Sequence, residues 1–125
     1  MKQFVDESKP IYQQIAESIE DDILKEGIRE GDQVPSTNQF AKHYQINPAT
    51  AAKGINLLVD EGILYKKRGI GMFVAAGARK AIEEKRRQNF FREYILPLLE
   101  EAQKLHLDSQ AVIRMIEETK GGAAQ

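Results

Sequence analysis

Three groups of residues in this chain have the types and spacing to hold a phosphate backbone and touch base edges. Lys66, Lys67 and Arg68 run directly into Gly69-Ile70-Gly71. Cations beside glycines suit the DNA backbone or minor groove, because glycine permits positive φ and close approach of the main chain. Thr50 and Lys53 lie three residues apart. Their hydroxyl and ammonium can reach phosphate, a thymine methyl or a guanine edge. Ser36 and Thr37 stand where a helix should begin, and unpaired N–H groups at a helix start bind phosphate. Asn38, Asn47, Ala49 and Asn56 are further candidates on the same segments.

The elements that would carry these groups can be read in order. Ser36-Thr37-Asn38-Gln39 has the Ser-x-x-Gln form of a capping box, so a helix should start just after Pro35. Phe40, Ala41 and Tyr44 supply its buried side. Gln45-Ile46-Asn47 is the turn, Asn47 can cap the next helix, Pro48 suits its first position and Gly62 its end. In that second helix Ala51, Ile55, Leu58 and Val59 follow core spacing, which leaves Ala49, Thr50, Ala52, Lys53 and Asn56 on or near the open face. Ile63-Leu64-Tyr65 and Met72-Phe73-Val74-Ala75 read as short strands flanking the basic turn. Helix, turn, helix and basic hairpin make a winged helix-turn-helix, whose second helix enters the major groove. Tyr65 is expected to pack rather than to contact DNA.

Before this module lies a polar leader over residues 1–9, then an amphipathic helix over about residues 10–25. Ile11, Ile15, Ile19 and Ile23 form its stripe and Tyr12 and Ala16 widen it, with Ser8 a candidate cap and Gly27 the stop. Its outer face is expected to carry Glu17, Glu20, Asp21 and Asp22. Residues 28–34 read as a connector. Beyond the hairpin, residues 79–94 are helical and highly charged, and Pro97 should end or kink that helix. Leu98, Leu99, Ala102, Leu105 and Leu107 continue an apolar face. Asp108 or Ser109 then caps a last helix bearing Val112, Ile113, Met115 and Ile116. Two helices of this size cannot bury Phe90, Phe91 and Tyr94 together with Leu98, Leu99, Leu105, Ile113 and Ile116 in one chain. A second copy is the expected cover. The Lys85-Arg86-Arg87 run, with Arg79, Lys80 and Arg92, is read as a solvated face.

The fold expectation is therefore mainly α with a small β-hairpin wing. Residues 1–76 form the winged helix-turn-helix, residues 77–120 a helical dimerisation arm, and residues 121–125 a disordered tail. The 125 residues allow one domain with an appendage. The chain has no cysteine, which excludes disulfides and thiolate metal sites and fits a reducing compartment. Nothing near the N-terminus resembles a signal peptide and no run approaches the ~20 apolar residues of a membrane helix, so a cytoplasmic location is expected. His43 and His106 lack partners at ligand spacing. No nucleophile–base pair, P-loop or metal cluster stands out, so neither an enzyme nor a bound cofactor is expected. The net charge of −1 hides an uneven distribution. Residues 1–32 hold four bases and nine acids, residues 33–74 five bases and two acids, and residues 75–125 nine bases and eight acids. The excess positive charge falls on the segment that would face phosphates.

Over residues 8–76 the chain resembles the GntR family of bacterial transcription regulators. The shared positions are Pro10-Ile11-Tyr12-Gln13-Gln14-Ile15, Pro35-Ser36, Ala41, Asn47-Pro48-Ala49-Thr50, Lys53, Glu61-Gly62 and Arg68-Gly69-Ile70-Gly71-Met72-Phe73-Val74. The short helical C-terminal part is similar to that of the YtrA subfamily, whose members carry two helices there for dimerisation. The resemblance implies a homodimeric repressor reading a pseudo-palindromic operator, with release by a small-molecule effector as a further expectation. Many relatives have arginines where this chain has Asn38, Pro48 and Ala52, which implies lower affinity or more reliance on the wing. Gly54 stands where alanine is usual and should weaken its helix by about 1 kcal/mol. This lean recognition helix and the acidic first helix motivate one alternative, a winged-helix protein-interaction module without specific DNA binding.

Overall fold

The computed structural model describes residues 8–121. Most of the expected leader, and the expected tail apart from Gly121, lie outside these residues. Two compact units divide the chain, Met1–Glu84 and Lys85–Gln125.

In the first unit, α1 spans Ile11–Leu24. Ile15, Ile19 and Ile23 are buried as the four-residue spacing requires, while Ile11 is exposed at the helix start. Two expectations for this helix are corrected. Pro10, not Ser8, stands at the N-cap. At the other end Glu26 takes the left-handed conformation (φ 63°), and Gly27 donates its N–H back to the Asp22 carbonyl at 2.8 Å. A third expectation also fails. Glu20 is buried instead of lining the outer face, together with Ser18 and Gln14. The buried stripe is wider than the isoleucines because polar side chains extend it while keeping their hydrogen bonds. Gln14 Nε2 donates to the Lys9 carbonyl at 2.9 Å, and among the described residues no buried side-chain N or O lacks a partner.

α2 covers Thr37–Tyr44 and α3 covers Pro48–Asp60. Both arms of the capping box are made: Gln39 N–H donates to Ser36 Oγ at 3.1 Å, and Ser36 N–H donates to Gln39 Oε1 at 3.0 Å. Asn47 Oδ1 accepts from the Ala49 N–H at 2.7 Å, with Pro48 in the first turn. Gly62 (φ 77°) follows the end of α3 and turns the chain, and Ile63 N–H reaches back to the Leu58 carbonyl at 2.9 Å.

The sheet has three strands, not two. β1 (Gln33–Val34), β2 (Leu64–Lys67) and β3 (Gly71–Val74) are antiparallel in the order β1-β3-β2. The stretch read as a connector thus donates an edge strand, pairing Gln33 with Phe73 and Val34 with Met72. Residues 15–82 contribute one core, in which Ile15, Ile19, Ile23, Val34, Phe40, Ala51, Ile55, Leu58, Leu64 and Val74 meet Ala78 and Ile82 from the start of α4 (Ala78–Phe90). Arg79 fastens that start from outside, its Nη1 lying 2.6 Å from Glu26 Oε2.

In the second unit the chain winds as a π-helix over Phe91–Ile95 and returns to α in α5 (Leu96–Lys104). Leu96 N–H donates to the Phe91 carbonyl, five residues back. The wider winding falls where Pro97 supplies no N–H and its ring would crowd the carbonyl four residues earlier. The chain therefore stays helical through Pro97 instead of ending there. His106 (φ 58°) turns the chain, Leu107 N–H closes on the Ala102 carbonyl, and Asp108 Oδ1 caps α6 (Ser109–Gly121) through the Ala111 N–H at 2.9 Å. Gly121 ends this helix. Among the described residues of this unit, Ala102 is the one buried apolar side chain.

Candidate nucleic-acid interface

The DNA-facing candidates fall on three neighbouring elements of the first unit, since α3 packs on α1, α2 and β2. At the start of α2, Ser36 and Asn38 are exposed and Thr37 is half-buried. Ser36 Oγ accepts the Gln39 N–H, which leaves its own O–H as a donor beside the first N–H groups of α2. In α3, Ala51, Ile55 and Leu58 are buried and Val59 is partly buried. The same helix leaves Asn47, Ala49, Lys53 and Asn56 exposed and Thr50 half-buried. The open face is the one the spacing requires.

The wing departs from a simple basic row. Leu64 pairs with Val74, Tyr65 with Phe73, Lys66 with Met72 and Lys67 with Gly71. Neighbouring side chains on a strand point to opposite faces, so Lys66 and Lys67 do not share one. Tyr65 stacks on Phe73 with ring centroids 5.8 Å apart, and Lys67 Nζ lies 4.8 Å from the centre of the same ring. The turn closes with Ile70 N–H donating to the Lys67 carbonyl at 2.9 Å, Gly69 at φ 77° and Arg68 exposed at the tip. Gly71 follows at φ 145°, and a Cβ there would collide with the Gln33 side chain.

Two residues of this region escape sequence reasoning. Gln33, from the unexpected β1, donates through Nε2 to the Ile70 carbonyl at 3.0 Å and so braces the wing turn. No local signal marks it, because the contact spans 37 residues. Tyr12 reads as part of the apolar stripe of α1, yet it is only half-buried and Lys53 Nζ sits 4.1 Å above its ring centre.

Gly54 reverses its expected role. A Cβ there would lie 2.7 Å from the Tyr12 carbonyl oxygen and 2.9 Å from Ile15 Cγ2. The glycine lets α1 and α3 cross backbone to side chain, so the helix-propensity cost is offset by close packing. The remaining basic residues of α4 lie apart from this cluster in sequence, and Arg79 is engaged with Glu26 and Glu83. Among the described residues no group of three His, Asp or Glu could hold a metal ion, and no helix is long and apolar enough to cross a membrane.

Comparison with known proteins accounts for this arrangement. The family model described as bacterial regulatory proteins, gntR family, matches residues 11–74. The chain is 29% identical over 119 residues to the HTH-type transcriptional repressor YtrA of Bacillus subtilis, covering 92% of this chain and 91% of that protein. A crystal structure of a GntR-family transcriptional regulator from Bacteroides thetaiotaomicron superposes with a TM-score of 0.80 at 31% identity, over 91% of this chain and 99% of that one. The DNA-binding domain of AraR, solved in complex with operator ORX1, matches 60% of this chain and 92% of its own at 30% identity and a TM-score of 0.52. With its winged helix and its full-length similarity to YtrA, the chain belongs to the GntR family of bacterial regulatory proteins and is a DNA-binding transcriptional regulator.

Proposed function

We propose that the protein acts as a homodimeric repressor in the cytoplasm, reading a pseudo-palindromic operator whose half-sites lie about one helical turn apart. The observation that carries this reading is the pairing of an open recognition face with an apolar second unit. Phe90, Phe91, Tyr94, Leu98, Leu99, Leu105, Ile113 and Ile116 are each between 39% and 62% exposed in the single chain. Between α5 and α6, Leu98, Leu105 and Ile116 join Leu107, Val112 and Met115 around a largely apolar cleft of about 500 Å³. Exposed apolar side chains in this number on one small unit mark an interface. Residues 77–120 serve as the dimerisation arm.

In this reading Ser36, Thr37 and Asn38, with the α2 amides, hold one phosphate run. Asn47, Ala49, Thr50 and Lys53 enter the major groove. Lys66, Lys67 and Arg68, with Gly69 and Gly71, follow the backbone or minor groove from the wing. A small-molecule effector relieves repression by binding the DNA-incompetent dimer more tightly than the competent one.

Selection of bound fragments from a random duplex pool at about 0.15 M salt tests the reading, because affinity depends steeply on ionic strength. One inverted-repeat motif is the expected result. Recovery of a single unrepeated half-site would sink the dimer, and recovery of no motif would favour a winged helix that serves another protein.

A further inference from the structure

We propose that Tyr12 is a positioning residue for Lys53, its ring holding the lysine ammonium where it meets DNA. The proposal rests on the reading that Lys53 contacts DNA. Lys53 is exposed on α3, and a free lysine side chain there would sample many rotamers that binding must remove. The structure instead places Nζ 4.1 Å above the Tyr12 ring, within the range of a cation–π contact.

The placement follows from the backbone. Gly54, the residue after Lys53, lets the Tyr12 main chain of α1 press against α3, with the Tyr12 carbonyl 2.7 Å from where a Cβ would stand. That contact fixes the ring beside the recognition helix. A larger residue at position 54 would push the ring away. Tyr12 is half-buried, and the ammonium lies over its ring. An ammonium resting on a ring face keeps donors directed away from it, free for a phosphate oxygen or a guanine edge. The wing repeats this chemistry, with Lys67 Nζ 4.8 Å above Phe73. Both seated lysines are among the residues that contact DNA in the proposed function.

The test is a double-mutant cycle on full-length protein, with the duplex recovered by selection as the probe, or a random-sequence duplex at low salt if selection returns no motif. Tyr12→Phe keeps the ring and should bind as tightly as the unmodified protein. Tyr12→Leu should weaken binding about two- to fivefold, the size of an exposed cation–π contact. In a Lys53→Met background Tyr12→Leu should have no further effect. The salt slope should fall by about 0.9 for Lys53→Met, if the lysine meets a phosphate, and stay unchanged for Tyr12→Leu. An equal loss for Tyr12→Leu with and without Lys53 overturns the proposal, as does a loss in Tyr12→Phe equal to that in Tyr12→Leu. Unchanged binding by Lys53→Met would instead remove Lys53 from the interface, and the proposal with it. If Tyr12→Leu does not fold, Tyr12→Met takes its place in the cycle.

Discussion

Gly54 shows how a single hydrogen in place of a methyl group can decide a helix crossing. Alanine has the higher helix propensity by about 1 kcal/mol, so propensity alone favours Gly54→Ala. The neighbouring atoms argue the other way, since the intruding Cβ would meet a backbone carbonyl and a buried isoleucine that cannot swing aside. Overpacking of this kind costs about 1–3 kcal/mol, which exceeds or cancels the propensity gain. We expect Gly54→Ala to lower the denaturant midpoint without changing the slope of the transition. An unchanged or higher midpoint would show that α1 slides at little cost. Gln45 is the opposite case. It holds φ 54° at the end of α2 with an exposed side chain, where a left-handed residue without glycine costs about 1 kcal/mol. Gln45→Gly is expected to stabilise the first unit by up to about that amount in the same denaturation experiment.

At the scale of the elements, the wing is a turn held from outside its own hairpin. Gln33 donates across the sheet to the Ile70 carbonyl, so the position of Arg68 depends on a strand of two residues. Gln33→Ala should speed amide exchange in the turn and weaken operator binding a few-fold while leaving the melting temperature within a degree or two. Equal exchange rates would mean that the hairpin sets the tip alone. Arg68→Ala should weaken binding at every sequence and reduce the salt slope by about 0.9, as expected for a lost phosphate contact. The two helices of the DNA-binding module were legible because their signals are local: a capping box, an Asn-Pro start, a terminal glycine and core residues at helical spacing. β1 was not, because two residues carry no periodicity and form a strand only when β3 lies alongside. Glu20 was misplaced for a related reason. Its burial depends on neighbours in space, and a charged residue read from one helix alone defaults to solvent. The same limit applies to Tyr12 and Gln33, whose contacts to Lys53 and Ile70 are long-range.

For the whole molecule the question is what joins one winged helix to a second. The first unit has a closed core of its own, whereas the described part of the second buries only Ala102 and leaves ten large apolar side chains open. A near-neutral chain also cannot rely on general attraction to DNA. Its charge of −1 predicts weak non-specific affinity, and in the proposed dimer two recognition helices acting together would supply the tight operator binding. Linking two half-site readers raises affinity by about 10²–10⁴-fold without any new contact to DNA. Placing a charge in the apolar face separates these contributions. Leu98→Glu with Leu105→Glu puts two carboxylates beside the α5–α6 cleft, where a partner would have to desolvate them. Light scattering should then report a monomer, while the thermal transition of the first unit persists because its core lies elsewhere. Affinity for the two-half-site operator should fall by about 10²-fold or more, and affinity for an isolated half-site should stay nearly unchanged. A variant that stays dimeric with full operator affinity would place the interface outside this face. A monomer that still bound the full operator tightly would mean that each winged helix reads its site without help from a second.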